Sequence, residues 1–164
     1  MNSRGFRGFE VSSTINDVEI DEVWNRIETW DGVNYELGPL IRMSAPADYP
    51  RVSDIPPDGV VHFTSYILLF GFLPIDAHRF GLVAVETPYL FDERSSNNMM
   101  RVWTHRRHLE TVADGVKVTD HCTVQARWFM PGALMTWIYR QIFKRRHRRL
   151  VRYFQRRVPS SDHA

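Results

Sequence analysis

Cysteine is almost missing from this 164-residue chain, with Cys122 the only one. A lone cysteine excludes an intrachain disulfide and any multi-cysteine metal site, and its place in a strand-like segment predicts a buried, unreactive thiol. Such usage suits a reducing compartment, and the chain reads as cytoplasmic. Long hydrophobic runs are also lacking. The opening Met-Asn-Ser-Arg-Gly-Phe-Arg carries no apolar segment, and the run from Tyr66 to Leu73 is too short to cross a bilayer. Neither a signal peptide nor a stable transmembrane association is expected. Gly5, Gly8 and Gly71 make no nucleotide-binding fingerprint. Dense metal-ligand spacing is absent too: His105 and His108 fall on opposite strand faces, and Asp92, His105 and Asp120 could meet one metal only in principle, after folding. The reading is therefore no metal and no cofactor.

Charge of one sign is scarce overall. Lys and Arg number 21 against 19 Asp and Glu, a net +2, so global electrostatic steering is weak. Basic residues concentrate instead in Lys144-Arg145-Arg146-His147-Arg148-Arg149, followed by Arg152 and Arg156-Arg157. The same segment carries an apolar stripe, which favours a solvated helix face over a specific nucleic-acid site. Transient contact with an anionic membrane is a further use of that face.

What is present points to a folded core. A hydrophobic fraction of 43% with five tryptophans argues against disorder, and the length suits one domain. Phe9 to Ile15 alternates as a strand. Asn16 or Asp17 can then cap a helix with Val18, Val23, Trp24 and Ile27 on its apolar side, while Trp30 and Tyr35 continue into a helical or irregular segment. Pro39, Pro46 and Pro50 interrupt the stretch from Leu37 to Arg51. Strands are predicted over Val60 to Phe70, His78 to Val85, Tyr89 to Arg94, Arg101 to Thr111 and Val116 to Trp128. After Pro131-Gly132, Leu134, Ile138, Ile142, Leu150 and Phe154 recur at helical spacing against Arg140, Lys144, Arg145, Arg148 and Arg152. A curved antiparallel sheet wrapped around that final helix would bury both apolar faces.

One strand pair carries unusual polarity where burial is expected. Around the turn Ala113-Asp114-Gly115, one register pairs Leu109 with Val118, Arg107 with Asp120, His105 with Cys122 and Trp103 with Val124. All of these would face one side. Extending the pattern through an Asn97-Asn98 turn places Asp92 opposite Trp103 and Leu90 opposite His105. The resulting inner face joins Leu90, Trp103, Leu109 and Cys122 to Asp92, His105, Arg107 and Asp120, with Tyr66 and His78 as secondary candidates from neighbouring strands. An apolar ligand body would pack on its carbon-rich parts while a hydroxyl, carbonyl or acid meets its polar groups. Arg107 has two readings: a pair that offsets the burial of Asp120, or a guanidinium that holds a ligand oxyanion.

Several segments together carry a resemblance. These are Phe70-Gly71-Phe72-Leu73-Pro74, Phe91-Asp92-Glu93, Trp103-Thr104-His105-Arg106-Arg107-His108-Leu109, Gly115-Val116-Lys117-Val118-Thr119-Asp120 and Pro131-Gly132, in that order. The chain resembles the START-like, Bet v 1-like (SRPBCC) superfamily, closest to its bacterial polyketide cyclase/dehydrase and lipid-transport branch. The resemblance implies an α+β helix-grip fold: a curved antiparallel sheet of about six or seven strands around a long C-terminal helix, with short helices after the first strand. It also implies one ligand-binding domain over residues 9–158, with flexible termini at 1–8 and 159–164, around an internal cavity. Binding or transport of a small hydrophobic or amphipathic ligand (lipid, aromatic or polyketide-like) is the first functional expectation. A cyclase or dehydratase using His105, Arg107 and Asp120 is the alternative, with His105 moving a proton and Arg107 stabilising an enolate. A regulatory or interaction protein acting through its basic terminal helix is the third.

Overall fold

Alternating side chains become an antiparallel sheet wherever a tight turn returns the chain on itself, and the hairpin around Asp114 does this most strictly. In the computed structural model, which describes residues 5–86 and 89–157, β6 (Met100–Val112) and β7 (Gly115–Ala126) pair in the register that the sequence predicts. Leu109 faces Val118, Arg107 faces Asp120, His105 faces Cys122 and Trp103 faces Val124. Gly115 is required here. Its φ is +144°, and a Cβ would stand 2.1 Å from the Ile15 carbonyl oxygen of β1 (Phe6–Asn16). That close approach lets β1 pair with β7 along its whole length.

The remaining elements are α1 (Ile20–Ile27), α2 (Trp30–Leu37), β2 (Ile41–Met43), β3 (Val61–Leu69), β4 (Leu73–Glu86), β5 (Leu90–Ser95) and α3 (Gly132–Gln155). The seven strands form one antiparallel sheet in the order β1-β7-β6-β5-β4-β3-β2, and it curves around α3. This is the expected α+β helix-grip architecture. Helix α3 packs on β1, β7 and α2. Two apolar groups fill the interior, one built on Ile15, Val23, Trp24, Leu82, Val118, Leu150 and Phe154, the other on Met100, Trp103, Cys122, Val124, Met135 and Phe143. Each such buried side chain contributes roughly 1.5–3 kcal/mol, which is enough to hold the sheet on the helix.

Three local expectations are corrected. β1 starts at Phe6, three residues before Phe9, because Phe6 to Gly8 find partners in Gln125 to Thr123. Neither Asn16 nor Asp17 caps α1: Asn16 ends β1, Asp17 takes a positive φ of 56°, and Glu19 is the N-cap. The β5–β6 register is displaced by three residues, so Asp92 faces Arg106 instead of Trp103, and Leu90 faces His108 instead of His105. Its cause is a wider turn. The Asn97 side-chain oxygen accepts from the Met99 and Met100 amides at 3.0 and 2.6 Å, and Ser96 bridges to Arg79 of β4. An odd displacement exchanges the two faces of the strand, so Phe91 and Glu93 turn inward. The expected flexible tail at 159–164 and residues 1–4 lie outside the described residues.

Candidate ligand cavity

A curved sheet cannot close on a single helix everywhere, and here the unfilled space is a cavity of about 400 Å³, within the range of small-molecule sites. Its walls are mostly apolar. α2 supplies Trp30, Val33 and Leu37, the sheet supplies Met43, Phe80, Phe91 and Trp103, and α3 supplies Met135, Ile138, Ile142 and Phe143. Polar groups enter at a few points: Asp76, His78, Glu93, His105, Arg107, Tyr139 and Arg146. Among the described residues no helix is long and apolar enough to cross a membrane.

Behind one wall lies a buried ionic network. Arg107 gives its Nη1 and Nη2 to the two carboxylate oxygens of Glu36 at 2.9 and 3.0 Å. Its Nε and Nη2 also donate to the two oxygens of Asp120, both at 2.7 Å. Arg146 adds its Nε to Glu36 at 3.0 Å, with its guanidinium 4.7 Å from the centre of the Phe143 ring. Asp120 further accepts from His105 Nε2 at 3.0 Å and His147 Nε2 at 2.9 Å. A carboxylate only accepts, so both imidazoles donate from Nε2, and Nδ1 of His147 shares a hydrogen bond with the Ser13 hydroxyl at 2.7 Å. His78 and Glu93 form a second pair at 2.6 Å. Arg107, Glu36 and Asp120 are each 1% exposed or less, so this network exists only because every charge meets an opposite one.

The ionisation of these groups follows from their neighbours. Burial alone would raise the Glu36 carboxyl, but Arg107 and Arg146 outweigh it and hold the group below its usual range. For Asp120 the same burial is overcome by Arg107 and His105, and for Glu93 by His78 and His105. Burial would lower Arg107, yet Asp120 and Glu36 drive it well above its ordinary value. Burial, aided by Asp120, pushes the Cys122 thiol far up, consistent with an unreactive cysteine. Burial also pushes the Tyr139 phenol up to about 12, with Asp76 and Glu93 adding to the effect and a hydrogen bond from Asn97 opposing it.

The sequence-derived candidates separate into three groups. Trp103, His105, Arg107 and His78 line the cavity. Leu109, Asp120 and Cys122 are buried with them in the sheet and do not line it. Asp92 lies on the outer face, where its Oδ2 accepts from Arg106 at 2.7 and 3.1 Å, and half-buried Leu90 sits beside it; the displaced β5 register accounts for both. Tyr66 is more than half exposed on β3, where Ser65 takes the inward position. With Asp92 outside, the trio of Asp92, His105 and Asp120 does not converge on one point.

Glu36, Asp76, Glu93, Tyr139, Arg146 and His147 escape the sequence reading. For Arg146 and His147 a signal existed: a stripe stepping from Met135 through Tyr139 and Phe143 to Leu150 and Phe154 passes through that pair at helical spacing. Both are buried, so the basic run is not wholly a solvated face.

A family model described as Domain of unknown function (DUF8410) matches residues 13–154. No curated protein matches the chain in sequence. Among solved structures the chain is similar to Ara h 8.0201, at 16% identity and TM-score 0.66 over 93% of this chain and 99% of that one. It is also similar to a START superfamily protein from Mycobacterium smegmatis, at 9% identity and TM-score 0.63 over 92% and 97% of the two chains. A protein from Chromobacterium violaceum, CV1439, matches at 9% identity and TM-score 0.62 over 86% and 95%. Identities this low carry the fold and nothing finer. The chain belongs to the family described as Domain of unknown function (DUF8410), on a START-like, Bet v 1-like helix-grip fold.

Proposed function

We propose that this protein binds, and carries, a small hydrophobic or amphipathic organic ligand in the space between the sheet and α3. One observation carries the reading: the interior holds a cavity of about 400 Å³ walled by tryptophan, phenylalanine, methionine and aliphatic side chains. Apolar walls around a space of this size suit an apolar ligand, whose atoms would gain dispersion contacts with the lining. Of the candidates, Trp103, His78, His105 and Arg107 would border the ligand, while Leu109, Asp120 and Cys122 would support them from behind. A role in the bacterial polyketide cyclase/dehydrase and lipid-transport branch, as one cytoplasmic domain that takes in β1 from Phe6, fits this reading.

A cyclase or dehydratase is the second reading, favoured by the presence of His105 and Arg107 on the cavity surface. The hydrogen bonding favours containment. Asp120 already accepts four hydrogen bonds and Arg107 already gives four of its five N–H groups, so neither is poised to exchange a partner during a reaction. Outward residues of α3 such as Arg140, Lys144 and Arg148 suit a transient approach to an anionic membrane.

Native mass spectrometry of the purified protein, followed by solvent extraction, tests the proposal. The expected result is one small apolar molecule released per chain, or one taken up from a panel of lipids, aromatics and polyketides. No retained molecule and no uptake across the panel would defeat it.

A further inference from the structure

Alternation along β4 turns Asp76, His78 and Phe80 toward the same cavity. Asp76 is only 6% exposed. Its Oδ1 accepts from the Ala77 amide at 2.7 Å and from the Asn98 amide at 2.9 Å, which ties β4 to the β5–β6 turn. Among the described residues its buried Oδ2 has no hydrogen-bond partner, and no Lys, Arg or His pairs with this carboxylate. Buried polar atoms are nearly always satisfied, so an acceptor left open on a cavity wall calls for a donor from outside the chain. Tyr139 of α3 lines the same space. Its hydroxyl accepts from Asn97 Nδ2 at 3.3 Å and keeps its own hydrogen to give.

Each cationic or imidazole group along the cavity wall already faces a carboxylate, His105 through Asp120. Arg107 is held by Glu36 and Asp120, and Arg146 by Glu36. His78 already donates to Glu93. The polar atom left without a partner along the described cavity wall is therefore an acceptor, Asp76 Oδ2.

Resting on the ligand-carrier reading, we propose that Asp76 receives the hydrogen-bond-donating head of the ligand, and that the ligand class is an apolar body bearing a protonated amine or a hydroxyl, not a carboxylate. Asp76 Oδ2 accepts from that head, and Tyr139 returns a hydrogen bond when the head is a hydroxyl. A carboxylate head would meet the Asp76 carboxyl group, and the arginines on the described cavity wall are already paired with Glu36 and Asp120.

Three probes of equal tail length separate head from tail: decylamine, 1-decanol and decanoate, each displacing the neutral fluorophore N-phenyl-1-naphthylamine at pH 7. The expected order is decylamine, then decanol, then decanoate, with decylamine at least about tenfold tighter than decanoate, as a charge-assisted hydrogen bond implies. In Asp76→Asn, which keeps an Oδ1 acceptor for the Asn98 amide, the amine-to-acid ratio, with both probes competed against the fluorophore in that variant, falls to within about threefold. Equal affinities, or decanoate binding best, overturns the inference in the unaltered protein and leaves the carrier reading standing. A ratio unchanged in a folded Asp76→Asn also overturns it. Failure of the fluorophore to bind at all removes the carrier reading and this one with it.

Discussion

Two carboxylates on the same sheet meet opposite fates. Asp120 on β7 accepts from one guanidinium and two imidazoles, whereas Asp76, three strands along on β4, keeps one buried oxygen with no donor among the described residues. Nothing in the intrinsic chemistry of aspartate separates them. The difference lies in what packs opposite: His147 of α3 and Arg107 of β6 reach Asp120, while Asp76 borders the cavity. A saturated charge holds elements together, and an unsaturated one beside a cavity is available to something that enters.

The largest effects are expected where the saturated network is broken. Arg107→Met leaves Glu36 and Asp120 buried without their shared cation, at a cost of about 3–5 kcal/mol in urea unfolding. A loss below about 1 kcal/mol would show that the network is dispensable. Asp120→Asn should weaken the fold on a similar scale, because one edit disturbs Arg107, His105 and His147 together.

Acid comes next. Glu36, Glu93 and Asp120 are all held below their ordinary values of 4.5, 4.5 and 3.8, so between folded and unfolded values the unfolded chain binds more protons and stability rises with pH. Their contribution is complete above the unfolded values and is lost as pH falls below them. Circular dichroism should show unfolding on acidification below about pH 4, and a melting temperature that stays flat to pH 2 would contradict this.

The same edit that damages Asp120 should spare the fold at the other site. Asp76→Asn is expected to change stability by less than about 1 kcal/mol, in either direction, since its open oxygen contributes no bond. A thermal melt comparing the two asparagine variants states the contrast in one experiment. Smallest of all is Asp92→Asn, whose partner Arg106 lies at the exposed outer face; it should shift stability by at most about 0.5 kcal/mol. A larger loss would place Asp92 back in the interior.

How much of this was legible in the sequence depends on turn chemistry. The β6–β7 register could be read because a two-residue connection followed by a glycine of positive φ leaves one way to pair the strands. The β5–β6 register could not, because Asn97 uses its side chain to widen the turn, and no strand pattern records that choice. Asp92 and Glu93 therefore exchanged faces. Arg146 and His147 sit in a run that composition assigns to solvent, yet helical spacing places them on the inner stripe; they can be buried because α2 delivers Glu36 and β7 delivers Asp120. Glu36 itself had no local signal, since its partners lie 71 and 110 residues away. Tertiary pairing of charges is the part that periodicity does not encode.

The direct test of an open, ligand-accepting interior is a fluorescence titration of N-phenyl-1-naphthylamine into the unaltered protein and into Ile142→Trp, which fills the space from α3. Saturable binding at one site per chain in the first, and its loss in a variant that melts within a few degrees of the original, is the expected pair of results. Equal binding by both proteins, or none by either, would contradict it.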